Sequence, residues 1–170
     1  MECDSAFEAV IIYRFYLMVP IWHSNKRMPQ SFESHSLIDT AEIGKAIAAQ
    51  LTVPACIYLE GGMGAGKTTL IKSILTGLGY SGQVTSPTYN LIHEYPLVDK
   101  TVYHMDLYRL EDPQELAYLA IEDLWQEDSL FLIEWPERGA GWLPKATAKV
   151  CITPHANQNS DSRLITFELL

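Results

Sequence analysis

The nine residues GGMGAGKTT (61–69) follow directly on the apolar run Ala55-Cys56-Ile57-Tyr58-Leu59, and no other stretch restricts the fold so tightly. Gly61, Gly66, Lys67 and Thr68 satisfy G-x-x-x-x-G-K-[ST]. Leu70, Ile71, Ile74, Leu75 and Leu78 then repeat with a helical period, and Gly79 supplies a stop. Strand, glycine-rich turn and helix, in that order, are the context in which this pattern holds phosphate. The glycines let successive backbone N–H groups curl around an anion, and the helix presents its positive end to it. Lys67 adds a cation near the terminal phosphates, and the Thr68 hydroxyl can ligate magnesium. A glycine-rich turn with no ligand would leave unexplained a lysine placed where a helix begins.

The remaining elements fit one domain. Asp39 and Glu42 have capping-box spacing and open a helix with Ile43, Ile47 and Leu51 on one face, ended by Val53-Pro54. Cys56–Glu60, Leu91–Tyr95, Val102–Leu107 and Leu130–Glu134 read as strands, and Pro113–Leu119 as helical, with Ile121–Gln126 continuing it. Ala148–Thr153 and Arg163–Leu169, joined by a polar loop, suggest a closing antiparallel pair. The pattern predicts an α/β fold with a mixed sheet, parallel near the glycine-rich turn. Residues 1–30 stand apart: AFEAVIIYRFYLMVPIW (6–22) is apolar, but Glu8 and Arg14 interrupt it and it is short for a membrane span. It reads as a dispensable extension, disordered or non-native, ahead of a single domain over 31–170, with Met28 as an alternative start; an interfacial segment is the competing reading.

A magnesium nucleotide also needs carboxylates, and two end strands. Glu134 closes Leu130-Phe131-Leu132-Ile133, and Asp106 closes Val102-Tyr103-His104-Met105. One would hold the metal and the other would orient or deprotonate the attacking group. His104 alternates with Asp106 and either orients that acid or fills the core. Arg109 either clamps phosphate or pairs with Glu111 or Asp112. Trp135 either packs in the core or abuts the nucleotide.

No N-K-x-D and no D-x-x-G stretch follows the loop, so ATP is favoured over GTP. A small-molecule kinase would need a lid with several arginines, and after the loop the chain has only Arg109, Arg138 and Arg163. An ATPase stimulated by a partner fits better, because an arginine supplied in trans is worth about 10³–10⁵ in rate. The formal charge of −9 suits poorly a protein that grips nucleic acid by itself. Cys3, Cys56 and Cys151 have neither zinc nor disulfide spacing, consistent with a cytoplasmic protein.

Four segments together carry a resemblance: GGMGAGKTT, SPTYNLIHEY (86–95), YHMDLYRL (103–110) and LIEWPERG (132–139). In order and spacing, from about Ser36 to Gly141, they resemble the bacterial TsaE family, formerly YjeE. The resemblance implies a P-loop NTPase-like three-layer sandwich and a magnesium-dependent ATPase serving the synthesis of threonylcarbamoyladenosine in tRNA. It implies work with the proteins TsaB and TsaD, hydrolysis resetting their complex, and contact with tRNA only through that complex. Carried onto this chain, Gly61, Gly64, Ala65, Gly66, Lys67, Thr68 and Thr69 would cradle the phosphates. Thr68 and Glu134 would hold Mg²⁺, and Asp106 would be the acid essential for hydrolysis beside Lys67 and Glu134. Ser86-Pro87-Thr88 would face the γ-phosphate, Trp135 and Glu137 would lie near the nucleotide, and Leu37 to Thr40 near the base. Gly62-Met63 departs from the family's usual Asp-Leu, at positions that contribute mostly backbone.

Overall fold

The computed structural model describes residues 28–155 and 162–170. The 6–22 segment lies outside them. The elements are β1 (Gln30–Ser34), α1 (Leu37–Ala48), β2 (Ala55–Gly61), α2 (Lys67–Gly77), β3 (Ile92–Pro96), β4 (Thr101–Asp106), α3 (Ile121–Leu124), β5 (Ser129–Glu134), β6 (Ala148–Pro154) and β7 (Arg163–Leu169). Two 3₁₀ turns, Pro113–Leu119 and Pro136–Gly139, complete them.

A single sheet runs β1-β7-β6-β2-β5-β4-β3. Its centre, β6-β2-β5-β4, is parallel, and β1, β7 and β3 add antiparallel edges. The mixed α/β architecture and the antiparallel β6–β7 pair follow the sequence pattern. The central strands are apolar on both sides, as strands covered on both faces must be. Ile57, Leu59, Leu130, Leu132 and Val102 pack beneath α1 and α2. Cys56, Tyr103, Met105, Phe131 and Ile133 face the opposite way, towards Leu116 and Ile121. That second layer is thin, made of the 113–119 turn and the one-turn helix α3.

Several details differ from the sequence expectation. β1 is an additional strand: QSFES, an edge strand with alternating exposure, is too short and polar to stand out. The cap of α1 is Ser36 rather than Asp39; Ser36 Oγ accepts from the Asp39 amide at 3.2 Å. The Asp39 carboxylate accepts from the His35 amide at 2.8 Å, and Glu42 pairs instead with Lys45 at 2.9 Å. The helix ends at Ala48, before Val53-Pro54, and Leu51 packs on the core from beyond it. The 113–119 segment winds as 3₁₀, with a capping box of Asp112 and Glu115.

Helices α1 and α2 cross closely at Gly44, where a Cβ would collide with the Cβ of Ser73. This contact fixes α2, and with it the start of α2 at Lys67, against the helix-side face of the sheet. No helix among the described residues is long and apolar enough to cross a membrane.

Candidate nucleotide site

β2 runs into the glycine-rich loop and the loop into α2. Gly66 is the helix N-cap with φ +104° and carries no side-chain cap. That φ favours glycine, and the uncapped first-turn N–H groups face the space that Gly66, Lys67, Thr68 and Thr69 line. Lys67 is only 4% exposed. Its ammonium donates to Gly61 O at 2.7 Å and Gly62 O at 2.9 Å, and lies 3.8 Å from the Trp135 ring centroid. Burial lowers its pKa, a shift opposed by the nearby charges of Glu134, Asp106 and Glu137.

The carboxylates arrive through strand register. Asp106 and Glu134 are directly opposed on the parallel strands β4 and β5, so both side chains leave the sheet on the α2 face. Glu134 Oε1 accepts from Thr68 Oγ1 at 2.8 Å and lies 2.9 Å from His104 Nε2. Asp106 Oδ2 accepts from Ser86 Oγ at 2.7 Å and Thr88 Oγ1 at 3.0 Å, and Oδ1 from the Tyr108 amide at 3.1 Å. Asp106 and Glu134 are 5% and 3% exposed, and carboxylates are rarely buried so deeply unless held by such partners.

These groups surround a cavity of about 360 Å³ lined by residues 63–69 with Ser86, Thr88, Asp106, Tyr108, Glu134 and Trp135. The structure thus brings together Gly64, Ala65, Gly66, Lys67, Thr68, Thr69, Thr88, Asp106, Glu134 and Trp135. Gly61 contributes its carbonyl to Lys67. Trp135 has φ +58°, a strained value for a bulky residue. Its ring packs against Tyr108 and Lys67. Glu137 is exposed on the following 3₁₀ turn and does not line the cavity. Leu37 and Thr40 line a second cavity of about 330 Å³, together with Ser34, His35 and Arg163, which meets the first at Gly64, Ala65, Gly66 and Thr69.

Two open choices are resolved. His104 bonds to Glu134, not Asp106. Arg109 neither pairs with Glu111 or Asp112 nor lines the phosphate cavity; its guanidinium sits 4.4 Å over the Tyr89 ring. Arg138 lies over Tyr108 and donates to Leu110 O, and Arg163 faces the second cavity. Tyr108 and the β7 side of the second cavity escape sequence reasoning. Tyr108 stands within the YHMDLYRL motif, whereas only folding brings β7 beside α1.

No group of three His, Cys, Asp or Glu side chains converges on a metal position among the described residues. Magnesium does not require one, since it is usually held by one or two carboxylates together with substrate phosphates and waters. The adjacent Thr68 hydroxyl and Glu134 carboxylate fit that mode.

Sheet order, loop and cavity define the class: an α/β protein of P-loop NTPase-like fold. The model of the family "Threonylcarbamoyl adenosine biosynthesis protein TsaE" matches residues 34–165, and the chain belongs to that family. It is 52% identical over 96 residues to a Haemophilus influenzae protein named tRNA threonylcarbamoyladenosine biosynthesis protein TsaE, a match covering 56% of this chain and 61% of that one. The chain therefore spans about three fifths of that relative's length. A Treponema pallidum protein of the same name is 33% identical over 75% of this chain and 94% of its own. The crystal structure of Bacillus subtilis YdiB superposes with a TM-score of 0.67 at 27% identity, covering 83% of this chain and 85% of that one.

Proposed function

We propose that the chain binds ATP with Mg²⁺ and hydrolyses it in the service of threonylcarbamoyladenosine synthesis on tRNA, acting on a complex of TsaB and TsaD. The observation that carries this reading is the convergence of Lys67, Thr68, Asp106 and Glu134 on one cavity at the start of α2. Membership of the TsaE family supports the pathway.

In this reading the loop amides and Lys67 hold the phosphates, Lys67 exchanging its Gly61 and Gly62 carbonyls for phosphate oxygens. Thr68 and Glu134 hold the metal, which neutralises charge on the terminal phosphates when bound. Asp106 sits across from Glu134 and accepts or orients the proton of the attacking water. Ser86 and Thr88, both bonded to Asp106, link the 86–90 loop to the position of the γ-phosphate. The second cavity receives the ribose and base beside Leu37 and Thr40. Domain 31–170 carries all of this, in the cytoplasm.

The small-molecule kinase reading gains no support from the site. None of Arg109, Arg138 or Arg163 lines the phosphate cavity, which suits a site where an arginine from a partner adds to the charge that Lys67 and the metal supply. Reconstitution tests the reading: tRNA, a threonylcarbamoyl donor and TsaB–TsaD, with and without this chain and ATP. Modification should stop near one round without the chain and continue with it. Label from ATP passing to a small molecule instead of free phosphate would favour the kinase.

A further inference from the structure

His104 has no part in that reading, yet the fold buries it completely beside the carboxylate assigned to the metal. It projects from β4 on the same face as Asp106, two residues earlier, and its Nε2 lies 2.9 Å from Glu134 Oε1. A carboxylate oxygen is an acceptor, so Nε2 is the ring nitrogen placed to donate in this contact. Nδ1 is buried with no hydrogen-bond partner among the described residues. An orphaned buried polar atom is costly, and a leucine here would fill the space without that cost. Plain core filling therefore does not explain an imidazole at this position. The bond to Glu134 does.

Glu134 Oε1 receives two donors, Thr68 Oγ1 and His104 Nε2, whereas no side chain or amide among the described residues donates to Oε2. The side chain of Glu134 also lines the phosphate cavity. We propose that His104 is a positioning residue: its Nε2–H pins Oε1 against Thr68 and so leaves Oε2 as the oxygen presented to a divalent cation. The inference rests on the proposed magnesium-nucleotide site and adds a residue to it. Partners that fix a ligating carboxylate commonly change metal affinity by roughly 10–100-fold when removed.

The test is binding rather than turnover. A fluorescent ATP analogue is titrated into the full chain at fixed Mg²⁺ concentrations from none to several millimolar, and the Mg²⁺ midpoint of tight binding is read. His104→Leu removes the donor and keeps the bulk; His104→Gln keeps an N–H donor near the Nε2 position. His104→Leu should raise the Mg²⁺ midpoint roughly 10-fold or more, with magnesium-free affinity unchanged. His104→Gln should restore the midpoint to within about three-fold of wild type. A folded leucine variant with the wild-type midpoint, or a glutamine variant as impaired as the leucine one, overturns the inference. If the leucine chain does not fold, the glutamine chain decides alone: a near-wild-type midpoint supports the inference and a shift of about 10-fold overturns it. Failure of the wild-type chain to bind the analogue at any Mg²⁺ concentration would instead strike the nucleotide reading itself.

Discussion

The two faces of the central sheet are made by the same strands and are chemically opposite. On the α1–α2 side, β4 and β5 present His104, Asp106 and Glu134 beyond an apolar stretch, and Lys67 meets them from α2. Among the described residues these four are all the Asp, Glu, Lys, Arg or His side chains that are buried. On the other side the interleaved residues are Tyr103, Met105, Phe131 and Ile133, with Tyr103 stacked on Phe131 at 4.9 Å between centroids. One face is optimised for packing. The other keeps charges in a low-dielectric place, where each is costly and each is also strong. The concentration of that cost at one end of one face is what marks the site.

The contrast is broken most severely at Asp106. Asp106→Asn keeps the shape and removes the charge, so ATP hydrolysis should fall by about 10²–10⁴ while nucleotide binding persists. Phosphate release and analogue binding, measured side by side, check the split. Equal loss of both would make Asp106 a binding or folding residue. On the opposite face, Phe131→Ala should cost about 3–5 kcal/mol of stability in denaturant unfolding. The surviving folded fraction should still bind nucleotide. Weak nucleotide affinity in that fraction would show that the two faces are not separable.

Lys67→Met should weaken ATP-analogue binding roughly 10–100-fold, the worth of charge-assisted hydrogen bonds. It also sharpens the comparison through pH. Burial holds the Lys67 pKa below its ordinary 10.5. Between the folded and unfolded values the unfolded chain binds more protons, so this lysine makes stability rise with pH in that window. Below the folded value the cost of burying the charge is carried in full. Half-buried Tyr58 and buried Cys56, both raised to about 12, act in the opposite sense, so the difference between wild type and Lys67→Met isolates the lysine. That difference should favour the methionine variant at neutral pH and shrink as pH climbs. The smallest effect concerns Cys56, on the apolar face, whose thiol burial pushes up to about 12. Iodoacetamide at about pH 8, mapped by mass spectrometry, should label exposed Cys151 and spare Cys56 until the chain unfolds.

What can be read in the sequence and what cannot divides along physical lines. The strand, loop and helix at 55–78 are contiguous and strongly patterned, so local chemistry alone specifies them. Asp106 and Glu134 are visible because each ends an apolar run. The partnership of His104 is not, because alternation along β4 puts it with Asp106, whereas the bond to Glu134 depends on the β4–β5 register. The cap of α1 is ambiguous because Ser36, Asp39 and Glu42 repeat every three residues, and either pair satisfies the spacing. β1 exists through pairing with β7, Gln30 opposite Phe167 and Ser34 opposite Arg163, a long-range pairing that no local signal reports.

The most direct test is a crystal structure with a non-hydrolysable ATP analogue and Mg²⁺. The account predicts triphosphate along residues 61–69, the Lys67 ammonium moved from Gly61 O and Gly62 O onto phosphate, and the metal beside Thr68 and Glu134. An analogue bound elsewhere, with Lys67 still on its two carbonyls and Glu134 turned away from the metal, would contradict it.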